Sequence, residues 1–600
     1  EQIAGVSGTV FAMATSITKP ATVKHLARAL APLILGVIVS ASAPTRAHAQ
    51  QANTQQAGPQ QAAAGLVGLP DEPAITYHTA EIDGRDIEYL ALAGAQPLPD
   101  ENLEPQARVF HVDYRLLGDW TQQQVAELVG QRINADAAGR VRSAFDSGGA
   151  AEALPLAARL AREAGLSVDR VIPMPPVESR PVTFVFNGGP GSSSVWLHLG
   201  QFGPKRVTYA DAFGRPGPTP NSVVDNDESL LPHTDLVFID PVSTGYSRAE
   251  PPSQDDRYHS VAGDLSSVAE FIRLWLGEHH RWASPRFLAG ESYGTTRAAG
   301  LTNELWSRHN IGINGVILIS TVLNFQTLRF NDGNDLPYML FLPTYTAVAH
   351  FHGALPPRYQ NMPLREALRE AERFALNDYA LALLRGTSLS DEEQRATATR
   401  MSELTGLGAD FILRSNLRVS QPAFSKELLR DEGKTVGRLD ARFTGLDIDD
   451  AGDSTEYDPS YAAIQGSYTT ALNTYFRRSL GLDLDLDYYI LGGGVGRWSY
   501  ASRGSNRYVN TGEDLRRAMH RQPDMRVFVA SGYHDLATPY FASDYTVDHL
   551  MLRPELRGNV RTGYYEAGHM MYLKRDARRQ LRDDLRTFYD ETPIGTASER

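Results

Sequence analysis

From Pro181 onward, short runs of Val, Ile and Phe bounded by Gly, Pro and Asn alternate with amphipathic stretches. Thr183 to Phe186, Leu236 to Ile239, Arg286 to Ala289, Val316 to Ile319 and Val527 to Ala530 are apolar throughout or nearly so and too short for helices, so they read as buried strands. Ser260 to Gly277 and Thr295 to Arg308 carry apolar positions at helical spacing between them. That alternation predicts a mostly parallel sheet with crossover helices. Upstream, Ile75 to Ile82 and Ile87 to Leu92 flank Asp83-Gly84, which predicts a hairpin, and Arg108 to Tyr114 predicts a further strand. The stretch from there to Leu166 is helical in pattern, and so is most of Asn324 to Leu480, notably Leu364 to Leu384 and Asp391 to Thr405.

Six hundred residues exceed what a single core organises, so a large insertion or a second domain is expected. The boundaries read as 1–49 for a signal peptide, 50–70 for a flexible linker and 71–323 for the first part of a sheet domain, with a helical insertion at about 116–170. A helical cap follows at 324–484 and the second part of the sheet domain at 485–600. Lys19, Lys24 and Arg28 precede the apolar stretch Ala29 to Ala41, and Ala47-His48-Ala49 has the small-x-small pattern of a cleavage site, so export to the periplasm or medium is expected. The apolar stretch, interrupted by Pro32, falls short of the ~20 residues that span a bilayer, so no stable membrane insertion is expected. Gln50 to Gly65 is Gln, Ala and Gly with hardly a bulky side chain to bury.

The apolar fraction of 42% and charged fraction of 22% are those of a folded protein. The net charge of −13 is dispersed and no basic stripe is present, which argues against nucleic acid as a partner. The absence of cysteine removes disulfides, thiol nucleophiles and thiolate ligands together. Gly492-Gly-Gly-Val-Gly496 lacks dinucleotide-binding spacing, Asp447-Ile-Asp-Asp-Ala-Gly452 has Ala451 where a calcium loop needs oxygen, and neither His279-His280 nor His350 with His352 has companion ligands. No metal and no cofactor are expected.

The chemistry concentrates elsewhere. Gly290-Glu291-Ser292-Tyr293-Gly294 sits between a strand and a helix, the setting of a nucleophile elbow, and so predicts an α/β-hydrolase fold with a mostly parallel central sheet and an inserted, mainly helical cap. In that fold the carboxylate and then the histidine follow the serine. Asp535 ends the apolar run from Val527, and His569 lies in a loop before an apolar segment. His549 falls inside a helical pattern and His534 precedes the carboxylate, so Ser292, Asp535 and His569 are the candidate triad. Asn187-Gly-Gly-Pro-Gly-Ser-Ser-Ser194 follows a strand, where glycines leave backbone N–H groups unobstructed, and is the candidate oxyanion loop.

These segments, with Ser531-Gly-Tyr-His-Asp535, Ala567-Gly-His569 and Phe238 to Ser247, resemble the signatures of the serine carboxypeptidase family. The resemblance covers Pro181 to Val322 and Met525 to Tyr572, and with the leader it implies an exported bacterial member acting on peptides with a free C-terminus. It implies that the N–H groups of Gly189 and Tyr293 hold the oxyanion, and that Asn187, Gly188 and Glu291 bind the substrate's terminal carboxylate. Val185 stands where the family has tryptophan, and Gln201 where it has a second glutamate, so Gln201 is expected in the carboxylate-binding set with less dependence on acid. An esterase or acyltransferase of the same fold, or an inactive hydrolase fold used for binding, are the alternatives.

Overall fold

The computed structural model describes residues 69, 72–211, 214–215, 222–501 and 507–595. The leader and all but the end of the linker read from the sequence therefore lie outside the described residues.

Nine strands run through one sheet: β1 (Ala74–Ile82), β2 (Arg85–Pro99), β3 (Pro105–Leu116), β4 (Val182–Phe186), β5 (Asp235–Ile239), β6 (Arg286–Glu291), β7 (Gly315–Ile319), β8 (Arg526–Gly532) and β9 (Val560–Tyr565). Their spatial order is β1-β2-β3-β5-β4-β6-β7-β8-β9, and the two-residue strand Arg248–Ala249 pairs with β3 at its margin. The first three strands and the β3–β5 contact are antiparallel, whereas β5, β4, β6, β7, β8 and β9 pair parallel. The β4/β5 swap in an otherwise sequential parallel sheet with helical crossovers is α/β-hydrolase topology. The hairpin turn has positive φ at both Asp83 and Gly84, as a two-residue turn matched to strand twist requires.

The middle strands are buried on both faces, which explains their unbroken apolar runs. Alternate residues feed opposite cores: Phe184, Phe186, Val316 and Leu318 pack with α1 (Val261–Glu278) and α2 (Tyr293–His309), while Val185, Ile317 and Ile319 face the core built with α3 (Pro459–Arg478) and α4 (Arg575–Glu591). The helices Gln122–Arg132, Ala135–Gly148 and Ala150–Glu163 pack over β1 and β2 around their own cluster. Between β7 and β8 the chain leaves the sheet, and the helices Leu336–Phe351, Leu364–Phe374 and Asp391–Thr405 enclose a separate core with Tyr345, Phe424 and Met401. No helix among the described residues is long and apolar enough to cross a membrane.

Candidate active site

β6 runs into α2 through Ser292, which has φ 60° and ψ −129°. A non-glycine residue there is strained by about 1–3 kcal/mol, and the surroundings hold it in place. The Ser292 N–H donates to the Ile319 carbonyl at 2.9 Å. A Cβ on Gly290 would lie 2.1 Å from the Gly294 oxygen, and one on Gly294 would lie 2.8 Å from the Phe186 oxygen, so the turn closes only with glycine at both flanks. The half-buried serine is thereby raised above the C-terminal edge of the sheet.

The Gly-rich loop leaves β4 beside this turn. Gly188 packs on the backbone of Glu291, Tyr293 and Gly294. Gly189 has φ 101°, and neither its N–H nor that of Tyr293, at the start of α2, donates to another protein group among the described residues. Two unsatisfied donors next to a raised hydroxyl are what a developing oxyanion needs.

Asp535 and His569 come from the loops after β8 and β9. Asp535 Oδ2 lies 2.7 Å from His569 Nδ1 and accepts the Thr538 hydroxyl at 2.7 Å, while Oδ1 accepts the N–H groups of Ala537 and Thr538 at 2.7 and 3.0 Å. Both residues are buried. Burial pulls the His569 pKa down, but the Asp535 charge and hydrogen bond push it up further, leaving it above the ordinary histidine value. Ser320 ties the loops to the elbow: it follows Ile319, the acceptor of the Ser292 N–H, and its hydroxyl donates to the His569 carbonyl at 2.5 Å. The Ser292 hydroxyl makes no hydrogen bond to His569 here; in unliganded sites such bonds are commonly long and tighten with substrate.

Glu291 is buried beneath the elbow, where Oε1 accepts from Asn187 Nδ2 at 2.9 Å and Oε2 from the Tyr572 hydroxyl at 2.7 Å. Burial raises its pKa to about 7. Gln201 lies apart from the Asn187–Glu291 hydrogen bonds. It is fully buried, its amide nitrogen faces the Glu228 carbonyl at 3.3 Å, and no hydrogen bond links it to Asn187 or Glu291. The second partner of Glu291 is Tyr572, whose ring packs against Gly200. Tyr572 had no signal in the sequence beyond its place three residues after His569.

Two further segments close around the site. Tyr488 to Tyr500 crosses the Gly-rich loop, with Ser193 N bonded to Ile490 O at 3.0 Å, Gly492 N to Gly191 O at 2.9 Å and the Trp498 ring 5.3 Å from that of Tyr293. The glycine run at 492–496 is part of this crossing. From the insertion, Arg438 to Arg442 grips the loops that carry the candidate carboxylate and base: His569 N donates to Leu439 O at 2.6 Å, Leu536 N to Arg438 O at 3.1 Å and Ala441 N to His534 O at 3.0 Å. That grip is fixed by Asp458, the N-cap of α3, which accepts from the N–H groups of Arg438 and Leu439, each at 3.1 Å, and from Ser460. Two acids of the loop 447–458, Asp447 and Asp458, are thus occupied structurally. Asp447 forms a buried pair with Lys426 at 2.6 Å, so its carboxylate is not available to line the site.

Asp458→Ala is expected to lower kcat about ten- to a hundredfold with KM nearly unchanged, because it frees the His569 loop without touching the substrate surface. Loss of the cap costs about 1 kcal/mol of stability. Steady-state kinetics beside a melting curve check this, with Asp458→Asn, which keeps one acceptor oxygen, recovering part of the rate. A change confined to melting temperature would rule the positioning role out.

The serine carboxypeptidase family model matches residues 174–335. Serine carboxypeptidase-like 11 of Arabidopsis thaliana is 30% identical over 127 residues, which are 21% of this chain and 28% of that protein. The pheromone-processing carboxypeptidase KEX1 of Yarrowia lipolytica is 29% identical over 145 residues, 24% of this chain and 22% of that protein. The chain therefore spans about a quarter of the length of these curated relatives. Among solved structures, the prohormone-processing carboxypeptidase KEX1 from Saccharomyces cerevisiae aligns over 85% of this chain and 93% of that one, with a TM-score of 0.45 and 14% identity. Over residues 174–335, the stretch holding the Gly-rich loop and the nucleophile elbow, the chain is similar to the serine carboxypeptidase family.

Proposed function

We propose that this protein is a serine carboxypeptidase that removes C-terminal residues from peptides through an acyl-enzyme on Ser292. The observation that carries the reading is the buried Asn187–Glu291–Tyr572 hydrogen-bonded set directly beneath the candidate nucleophile, which an esterase has no need of. In this mechanism His569 takes the Ser292 proton as the hydroxyl attacks the scissile carbonyl, and the N–H groups of Gly189 and Tyr293 hold the oxyanion. His569 then protonates the departing amine, and water, activated by the same histidine, releases the acyl group. Asp535 keeps the imidazole in the required orientation and stabilises its charged form. Asn187, Gly188 and Glu291 would receive the terminal carboxylate. Export is proposed with it, supported by the leader-like pattern ahead of Ala49.

A protonated Glu291 can donate to a carboxylate, and an ionised one repels it. With its pKa near 7, the competent form prevails below pH 7 and is lost above. For a free-acid peptide, kcat/KM is therefore expected to fall above about pH 7 through a rise in KM, while a small neutral ester shows no such limb. Glu291→Gln should abolish the limb. It should also move the acid limb to lower pH, because the Glu291 charge helps to hold the His569 pKa up. An alkaline limb already complete at pH 5 would contradict this assignment.

The reading itself is tested by offering one peptide as free acid and as C-terminal amide and following products by mass spectrometry. Stepwise loss from the free acid alone supports it. Turnover of a simple ester with neither peptide cleaved would reject it in favour of an esterase or acyltransferase.

A further inference from the structure

The Glu291 carboxyl is held by two donors, one at each oxygen. Oε1 accepts from Asn187 Nδ2 at 2.9 Å and Oε2 from the Tyr572 hydroxyl at 2.7 Å. Among the described residues no Lys or Arg pairs with it, so two neutral hydrogen bonds are all that its buried carboxylate receives. Both donors are fixed in turn. Asn187 Oδ1 accepts the Leu197 N–H at 3.0 Å, which turns the amide nitrogen to Glu291. Tyr572 is fully buried in the short turn Met571–Leu573, just after the loop that carries His569, and its carbonyl accepts from Arg578 Nη1 at 3.1 Å. A Cβ on residue 200 would lie 2.4 and 2.6 Å from two atoms of its ring, so glycine there is what lets the hydroxyl reach Glu291.

The ionisable groups around this carboxyl are His569 and Asp535, which are bonded to each other, and the phenols of Tyr572 and Tyr468. The Tyr468 hydroxyl comes within 2.9 Å of the same Cβ position on Gly200 and bonds the Tyr209 hydroxyl at 2.6 Å. Burial pushes both phenols well above the ordinary tyrosine range and keeps them neutral. Tyr572 therefore acts on Glu291 as a hydrogen-bond donor and not as a charge.

We propose that Tyr572 is a positioning residue for the substrate's terminal carboxylate, acting through Glu291: its hydroxyl holds the carboxyl in one orientation and sets the upper pH limit for binding free-acid peptides. The inference rests on the carboxypeptidase reading. A donor at Oε2 stabilises the ionised carboxyl more than the neutral one, so it opposes the burial that raises Glu291. Without the hydroxyl the protonated, carboxylate-binding form persists to higher pH. It is then anchored by Asn187 alone, so affinity for the peptide falls at pH values below the limit.

The test compares the wild type with Tyr572→Phe, which keeps the ring beside Gly200, and with protein carrying 3-fluorotyrosine at position 572, whose hydroxyl is the stronger donor. Hydrolysis of a free-acid peptide and of a small neutral ester is followed from about pH 5 to 9, and kcat/KM for the peptide is divided by that for the ester. In Tyr572→Phe the alkaline limb of this ratio is expected to move up by about one pH unit. Below the limb, KM for the peptide should rise about three- to tenfold with kcat changed less than about threefold. Fluorotyrosine should move the limb down. A limb that stays in place in Tyr572→Phe, or that moves the same way in both proteins, overturns the proposal. So does an equal loss of kcat on peptide and ester with KM unchanged, which is what a purely structural role produces. Turnover of the ester by the wild type with no peptide cleaved would instead remove the carboxypeptidase reading, and the role of Tyr572 with it.

Discussion

Ser292→Ala is expected to lower kcat for a free-acid peptide by roughly a millionfold, with the peptide's dissociation constant changed no more than a few-fold. The asymmetry follows from the geometry. The hydroxyl is the only atom removed, while Asn187, Glu291 and Tyr572 keep their mutual hydrogen bonds and continue to hold a carboxylate. Because serine and base act as one unit, adding His569→Ala should cost almost nothing more; independent roles would make the losses multiply. Single-turnover kinetics with excess enzyme reaches the necessary range, and residual activity above about 1% would exclude Ser292 as the nucleophile. Ser292→Gly separates catalysis from strain. It is equally inactive but relieves a side chain held at φ 60° and ψ −129°, so it should unfold at higher denaturant concentration by about 1 kcal/mol, whereas the alanine variant, which keeps a Cβ, should not.

Features with a side-chain signature were legible in the sequence. Central strands such as β7, Gly315–Ile319, are apolar because both faces are covered, and the Asp83-Gly84 turn is marked by residues that accept positive φ. The triad candidates stood out because strand-to-loop transitions, which local pattern shows, place residues at the same edge of a parallel sheet. The grip of Arg438 to Arg442 on the His569 loop had no such mark. It is made by backbone N–H and C=O groups, which every residue possesses, and its anchor Asp458 looked like one more acid in an acidic loop. The surroundings of Gln201 were illegible for a related reason. Spacing fixes where a residue sits along the chain but not which way its amide turns, and the Tyr572 hydroxyl that bonds Glu291 arrives from another loop. The pairing of Asp447 with Lys426 was equally invisible, since the lysine lies on a different element of the insertion.

Gly188→Ala is the second substitution from which a large loss is expected, and it acts through space rather than conformation. Gly189, next to it, has φ 101° and needs glycine for its backbone; Gly188 is not among the residues of positive φ. Its Cβ, however, would fall 2.4 Å from Tyr293 N, 2.7 Å from Glu291 O and 2.8 Å from Gly294 N. All three are backbone atoms of the elbow, so no side chain can swing aside, and the Gly-rich loop must move away from Ser292. The Tyr293 nitrogen in that triplet is also a candidate oxyanion donor, so the shift both obstructs it and carries the Gly189 N–H out of register with it. Loss of one such donor alone costs about a hundred- to a thousandfold in kcat, and overpacking against rigid neighbours adds about 1–3 kcal/mol of destabilisation. Peptide and neutral-ester hydrolysis should fall together, since both pass through the oxyanion, which separates this variant from Glu291→Gln, where the ester is spared. If Gly188→Ala keeps more than a tenth of the wild-type rate on either substrate, the close apposition of the two loops is not what arranges the oxyanion donors.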